Sequence, residues 1–213
     1  RLSLVGSEIC IRDRFKAIKL RAAAMAEAAE ATGGSMAAII GSDNETIAKV
    51  CEEVNGFCAP ANYNSPQQTV IAGESAAIDE AVAKFAEMGK RAVKLAVSAA
   101  FHTKLMAGAA EKFKGEIAGF PFKAPNCDFY SNLYGRKLDD FSDMPSYLAA
   151  HICSPVKFVD ELSAMQSAGI EAYVELGPGK VLTGLVKKFD RSANAMHIEN
   201  AETLEKALAA LKG

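Results

Sequence analysis

The chain has 213 residues, of which 50% are hydrophobic and 23% are charged, and its formal net charge is −2. This composition excludes an intrinsically disordered chain, which combines low hydrophobicity with high net charge. It also argues against a nucleic-acid binder, whose binding surface concentrates positive charge. No apolar run approaches the ~18 residues of a membrane-spanning helix, so we expect no membrane partner.

Five cysteines are present, and no C-x-x-C pair occurs among them. An odd number without that spacing predicts neither a disulfide framework nor a zinc site. We therefore expect reduced thiols, a cytoplasmic protein and no metal. The chain begins at Arg1 without the pattern of a signal peptide, and we interpret this start as an internal edge of something longer.

Apolar residues at helical spacing predict a first helix over residues 12–32, ended by Gly33 and Gly34. The side chains expected on its buried face are Ile11, Phe15, Ile18, Ala22, Met25 and Ala29.

The next segment, residues 35–97, alternates strand and helix patterns. Ser42 and Glu45 predict a capping box at the first of its helices. The predicted elements are strands 35–41, 57–63, 68–72 and 91–97 and helices 42–55 and 75–88. Their order, β-α-β-β-α-β, is the ferredoxin-like pattern.

Strand and helix patterns also alternate after residue 100, which favours an α/β layer. We predict helices at 103–118, 145–151, 154–168, 180–189 and 202–211 and strands at 128–131 and 171–176. Ser154 as N-cap with Pro155 at the first helical position indicates where one helix begins. We expect residues 1–34 and 98–213 to form one large subdomain, into which residues 35–97 are inserted.

Two side chains are candidates for chemistry. His102 lies where a strand passes into a helix, a position at which reactive groups collect in α/β sheets; a hydrogen-bonded capping histidine is the alternative. Arg21 borders the apolar face of the first helix. It either covers apolar surface with its stem or holds a carboxylate through two parallel hydrogen bonds.

Other candidates are weaker. On position alone His151 is a structural residue, and His197 is a solvated one. Cys153 has no cluster of positive charge that would make it a thiolate nucleophile. The turn 177–180 (GPGK) lacks the remainder of a phosphate-binding motif, although the helix that follows it could attract an anion.

Six blocks carry a family resemblance: KLRAAAM, SMAAIIG, ANYNSPQQTVIAG, VSAAFHTKLM, HICSPVKF and ELGPGKVLTGL. In this order, over about residues 9–190, they resemble malonyl-CoA:acyl-carrier-protein transacylases. The resemblance implies an α/β fold, with a partial α/β-hydrolase-like large subdomain and an inserted ferredoxin-like small one. It also implies transfer of a malonyl group from coenzyme A to the phosphopantetheine thiol of acyl carrier protein, through a serine ester.

The resemblance assigns roles to individual residues. His102 matches the catalytic base, and Arg21 matches the residue that binds the malonyl carboxylate. His151 stands where the family usually has Gln, whose backbone carbonyl orients the base. Phe101 resembles the malonyl-selective form of its motif, whose ring disfavours substrates branched at C2. The positions that match the lining of the acyl site are Met36, Asn62, Asn64, Val97, Phe101 and Val181.

The family's nucleophile lies in a G-H-S-x-G elbow, and this motif is absent from the sequence. Ser3 and Ser7 lack the flanking glycines. We therefore expect the nucleophile to come from a missing N-terminal segment of the same protein, and this chain alone to be inactive. No bound cofactor is expected, because the coenzyme A thioester is a substrate.

Two alternatives remain open at this stage. The first is a non-catalytic module that binds acyl carrier protein without acylating it. The second, a ferredoxin-like nucleic-acid binder, is disfavoured because no basic stripe is visible. A cluster of cations after residue 179 either meets the acidic surface of the carrier or forms a solvated face; it comprises Lys180, Lys187, Lys188 and Arg191.

Overall fold

The computed structural model describes the backbone of residues 7–212 and the side chains of residues 13–211. Ser3 and the side chains of Ser7 and Ile11 therefore lie outside the described part. The helices are α1 (Ser7–Thr32), α2 (Asn44–Glu53), α3 (Ser75–Glu87), α4 (Ala107–Ile117), α5 (Met144–Cys153), α6 (Phe158–Ser167), α7 (Val181–Phe189) and α8 (Ala201–Lys212). The strands are β1 (Ser35–Ile40), β2 (Cys58–Ser65), β3 (Gln68–Gly73), β4 (Arg91–Lys94), β5 (Tyr130–Ser131), β6 (Arg136–Lys137), β7 (Ala172–Leu176) and β8 (Asn194–Ile198).

Strands β1 to β4 form an antiparallel sheet in the order β2-β3-β1-β4, and the elements follow one another in the predicted order. Helices α2 and α3 close one face of this sheet over a core that includes Ile39, Ile47, Ile71 and Phe85. Strand β4 ends at Lys94, three residues earlier than predicted.

The opposite face of this sheet carries small and flexible apolar side chains that pack against the segment after β4. Met36 and Val70 lie on this face and are buried together with Ala100. Phe101 packs against this cluster and also against a second one, formed by α1, α4 and α5 around Phe113. The segment that carries His102 is therefore held between the sheet and a layer of helices.

Of the face predicted for α1, Met25 packs against the cluster around Phe113, whereas Phe15, Ile18 and Ala22 are exposed. Phe15 and Ile18 are 63% and 64% exposed. The side chains that pack towards α4 are smaller on average, and they include Ala17, Leu20, Ala24 and Ala28. Helix α1 therefore has two apolar stripes. The alanine-rich stripe faces α4, because small side chains allow two helices to approach more closely than bulky ones do.

Two predicted helix starts are wrong. Asp43, not Ser42, caps α2, because its carboxylate accepts the N–H of Thr46 at 2.8 Å. Residues 154–157 do not form the first turn of α6. Val156 instead pairs with β2, donating its N–H to Ala61 at 2.8 Å and accepting the N–H of Tyr63 at 2.8 Å. Because the backbone N–H and oxygen of Val156 already form these hydrogen bonds, α6 begins two residues after it, at Phe158.

A parallel pair of strands, β7 and β8, forms near the C-terminal end of the described chain. Strand β8 was not predicted, and it contains His197. This histidine is therefore part of a strand rather than a solvated loop, and its Nε2 lies 3.6 Å from Glu199. Within residues 7–212, none of the helices has the length and apolar character needed to cross a bilayer.

Candidate active site

His102 occupies an unusual backbone conformation. Its φ is +60°, and among the described residues it alone adopts a positive φ without being glycine. Thr103 holds the chain beside it, donating its hydroxyl to Ala100 O at 2.7 Å and accepting the N–H of Leu105 at 3.3 Å. Such conformations are unfavourable, and they cluster at functional sites where the surrounding structure enforces them.

The His102 ring is oriented by the end of helix α5. Its Nδ1 lies 3.1 Å from the backbone oxygen of His151. That oxygen is one of the last four carbonyls of α5, which have no partner within the helix. A carbonyl only accepts, so Nδ1 carries the proton and Nε2 is left with an unshared electron pair. His102 is therefore prepared to act as a base through Nε2.

Burial lowers the pKa of His102, and the charge of Arg21 lowers it further, whereas the hydrogen bond to the His151 carbonyl acts in the opposite direction. The ring is thus neutral at pH 7, as a general base must be. Once protonated, its charge would face the negative end of the α5 dipole.

The side chain of His151 is fixed by a residue for which the sequence showed no motif. Nε2 of His151 lies 2.6 Å from Oδ1 of Asn132, which directly follows β5. The His151 and His102 rings meet edge to face, with centroids 5.5 Å apart. Burial lowers the pKa of His151 to about 4, helped by the positive charge of Arg21 and by that of His102 when His102 is protonated. His151 is thus a neutral donor to Asn132.

Arg21 brings a positive charge to the same region. It is half-buried on α1, and burial lowers its pKa. Within residues 13–211, no carboxylate lies within 4.0 Å of its guanidinium. Its charge nevertheless lowers the pKa of both His102 and His151. A half-buried guanidinium whose charge reaches a neutral imidazole is suited to binding a carboxylate in the region of a base.

The positions expected to line an acyl site fall into three groups. Met36, Val97 and Phe101 belong to one apolar cluster next to His102. Asn62 and Asn64 lie half-buried on β2, which packs against α6 and α7. Val181, the first residue of α7, is 73% exposed and lies outside that cluster.

At the GPGK turn (residues 177–180), which we considered as an anion site, carboxylates of the chain itself accept N–H groups. Glu199 accepts the N–H of Gly179 at 2.8 Å. Glu175 accepts the N–H groups of Leu182 at 3.1 Å and Thr183 at 2.8 Å. The N–H groups of Leu182 and Thr183 in the first turn of α7 are therefore satisfied, which argues against an anion site there.

Two surface cavities, each of about 300 Å³, lie away from His102. One is bordered by Gln166, Tyr173 and Phe189, and the other by Pro125, Phe129 and Phe141. Within residues 13–211, no three histidine, cysteine, aspartate or glutamate side chains come together in a group that could hold a metal ion.

Known proteins resemble this chain in sequence. The family model described as acyl transferase domain matches residues 4–209. The malonyl CoA-acyl carrier protein transacylase of Bacillus subtilis is 34% identical, over 98% of this chain and 67% of its own length. The corresponding protein of Staphylococcus aureus is 33% identical, over 95% of this chain and 68% of its own length.

Solved structures show the same similarity in three dimensions. The crystal structure of the Clostridium perfringens transacylase has a TM-score of 0.90 at 34% identity and covers 94% of this chain. A complex of a type II PKS acyl-carrier protein with its malonyl-transacylase has a TM-score of 0.86 at 33% identity and covers 92% of this chain. The chain spans 64% of each of these two structures. In sequence and in mixed α/β structure, the chain belongs to the malonyl-CoA:acyl-carrier-protein transacylase family of acyl transferase domains.

Proposed function

We propose that this chain supplies the general base and the carboxylate clamp of a transacylase, which moves a malonyl group from coenzyme A to acyl carrier protein in fatty-acid synthesis. The observation that carries the proposal is the neutral His102, oriented through Nδ1, close enough to Arg21 for the arginine to lower its pKa. The relatives named above are malonyl transacylases, and one was solved in complex with a type II PKS acyl-carrier protein.

The proposed reaction has two steps, and both use Nε2 of His102. In the first, Nε2 removes the proton of a serine hydroxyl as its oxygen attacks the malonyl thioester carbonyl. The carbon–sulfur bond then breaks, and the departing thiolate takes the proton from His102. In the second, His102 deprotonates the phosphopantetheine thiol, which attacks the serine ester, and the serine regains its proton. Arg21 binds the malonyl carboxylate throughout.

We further propose that the serine lies outside these 213 residues, in a segment that packs on this chain. The sequence contains no G-H-S-x-G motif. Phe15 and Ile18 on α1, and Leu176 at the end of β7, are apolar and exposed. Parallel strands such as β7 and β8 are normally covered on both faces. These uncovered surfaces support the proposal that a further segment packs on them. Because that segment would carry the serine, this chain alone is inactive.

Within this scheme, residues 35–97 form an inserted ferredoxin-like subdomain, and residues 1–34 and 98–213 form an incomplete α/β-hydrolase-like one. The sheet order β2-β3-β1-β4 with two helices on one face supports the first assignment. Apolar side chains from Met36, Val97 and Phe101, with Asn62 and Asn64 from the small subdomain, would line the acyl site. Val181 would join them from α7. The site needs no metal or bound cofactor, and the protein is cytoplasmic.

The second candidate is a non-catalytic module that binds acyl carrier protein, and the absent elbow motif favours it. Binding measurements with malonyl-CoA and acetyl-CoA separate the two. The enzyme proposal predicts that the chain binds malonyl-CoA more tightly than acetyl-CoA by calorimetry, because only malonyl-CoA offers a carboxylate to Arg21. It also predicts no gain in intact mass with malonyl-CoA. Equal affinities for the two thioesters would contradict the clamp, and a malonyl adduct would place a nucleophile within this chain.

A further inference from the structure

Two hydrogen bonds attach one face of helix α5 to the β5–β6 hairpin. The Tyr147 hydroxyl donates to the Ser131 hydroxyl oxygen at 2.8 Å. One helical turn later, Nε2 of His151 donates to Oδ1 of Asn132 at 2.6 Å. Two consecutive residues of the hairpin therefore determine where the last turn of α5 lies.

Asn132 is itself held in place. Its backbone oxygen accepts the N–H of Lys157 at 2.6 Å, just before α6. Its neighbour Ser131 is completely buried, and the N–H of Gly135 donates to the backbone oxygen of Ser131 at 2.7 Å. The amide side chain of Asn132 thus extends from a backbone that is anchored on both sides. It is a fixed acceptor rather than a flexible surface group.

The contact between Asn132 and His151 also affects His102, because His151 forms hydrogen bonds to both residues. Its side chain donates to Asn132, and its backbone oxygen, 3.1 Å from Nδ1, accepts from His102. The carbonyl belongs to the last turn of α5, where helices fray unless tertiary contacts hold them. Fixing the ring of His151 therefore fixes the direction of the carbonyl that His102 uses.

We propose that Asn132 is a positioning residue, which acts through His151 to keep the proton of His102 on Nδ1 and to leave Nε2 available as the base. The relevance of this to acyl transfer rests on the proposed function, whereas the placement of the proton is a property of the chain itself. The competing explanation is that Asn132 only stabilises the fold.

The test uses the 213-residue chain with ¹⁵N-labelled histidine. Long-range ¹H–¹⁵N spectra report which ring nitrogen carries the proton, and only three histidines have to be assigned. Asn132→Leu keeps the shape of the side chain but removes the acceptor. Asn132→Asp keeps an acceptor oxygen. Asn126→Ala, at an exposed position earlier in the same loop region, is the control.

We expect wild-type His102 to be protonated mainly at Nδ1. In Asn132→Leu, the ratio of Nε2–H to Nδ1–H forms of His102 should rise by roughly two- to tenfold, the equivalent of one net hydrogen bond. Asn132→Asp and Asn126→Ala should keep the wild-type ratio. An unchanged ratio in Asn132→Leu, or a predominant Nε2–H form in the wild type, overturns the proposal.

Asn132→Asp also gives an answer if Asn132→Leu does not fold. Its carboxylate should raise the pKa of His151 above about 4 while His102 keeps its Nδ1 proton. A His151 pKa that stays at about 4 would show that residue 132 does not contact the ring, and the proposal would fail.

Neither measurement requires malonyl-CoA. A chain that places the proton as expected but does not bind malonyl-CoA would refute the proposed function and leave this inference intact.

Discussion

The backbone oxygen of His151 lies 3.1 Å from Nδ1 of His102, and it is provided by the unpaired end of a helix. A carboxylate at this place would hold the imidazole with a full negative charge. A carbonyl orients the ring with a partial charge only, and the α5 dipole adds to it. The ring therefore remains neutral at pH 7 but is favourably placed to accept a proton during reaction.

Replacement of Arg21 tests the carboxylate clamp. Arg21→Ala should weaken malonyl-CoA binding by about 10- to 100-fold, because a charge-assisted hydrogen-bonded pair contributes roughly 1.5–3 kcal/mol. Acetyl-CoA binding should change little, since it has no carboxylate. Calorimetry with both thioesters measures this, and Arg14→Ala, an exposed arginine on the same helix, is the matched control. Equal losses for both thioesters would remove Arg21 from this role.

His151→Gln tests the protonation state of the site through stability. The pKa of His151 is lowered to about 4 in the folded chain and returns to about 6.5 on unfolding. Below pH 6.5 the unfolded state binds more protons, so wild-type stability falls as pH falls towards 4. This group alone removes about 2 kcal/mol between pH 7.5 and pH 5.

Glutamine can still donate to Asn132 but cannot titrate. His151→Gln should therefore lose about 2 kcal/mol less than the wild type on acidification from pH 7.5 to pH 5, as measured by urea unfolding. His197→Gln, on β8 outside this site, serves as the control. The same acid loss in His151→Gln and in the wild type would show that His151 is not buried as a neutral ring.

For Glu161 we predict the opposite dependence of stability on pH, namely a loss of stability as pH rises. It is 9% exposed on α6, and its Oε2 has no hydrogen-bond partner within the described chain. Burial raises the pKa of Glu161 to about 7. Between pH 4.5 and pH 7 the folded state holds a proton that the unfolded state has lost, so this group lowers stability as pH rises.

Glu161→Gln should accordingly become more stable relative to the wild type as pH rises, by about 1–2 kcal/mol at pH 8 after allowing for solvent screening. At pH 4 the difference should be small, because both side chains are then neutral. Urea unfolding at the two pH values measures it, with the exposed Glu171→Gln as the control. A difference that does not vary with pH would show that Glu161 ionises normally.

Alanine substitutions at Gly73 and Gly115 should have opposite effects on stability, because only Gly73 lacks space for a side chain. A Cβ at Gly73 would lie 2.0 Å from the backbone oxygen of Phe57, whereas a Cβ at Gly115, within α4, would meet nothing within 4 Å. Gly73→Ala should destabilise the chain by about 3 kcal/mol or more, because backbone of β2 must move. Gly115→Ala should stabilise it by about 0.5–1 kcal/mol through helix propensity. Thermal unfolding checks both, and a tolerated alanine at position 73 would show that β2 and β3 are less closely packed there.

Much of the architecture follows from local sequence signals. Turn residues and apolar periodicity between residues 35 and 97 predicted the order of the elements that the structure shows. The paired glycines at 33 and 34 both adopt positive φ at the end of α1, as a helix terminator does. His102 and Arg21 stood out because the sequence predicted a histidine at a strand end and an arginine beside an apolar stripe, although β4 in fact ends at Lys94.

Other features depend on contacts between residues far apart in the chain. Asn132 and His151 are 19 positions apart, and no motif links them. Pairing of Val156 with β2 replaces a helix start that local preference favoured. The buried stripe of α1 depends on which helix packs against it. The sequence by itself determined local conformation and the identity of the reactive side chains, because backbone preference and chemical type are properties of single residues and their near neighbours. The tertiary structure alone decided which donor meets which acceptor, because a hydrogen bond needs its two atoms within about 3 Å.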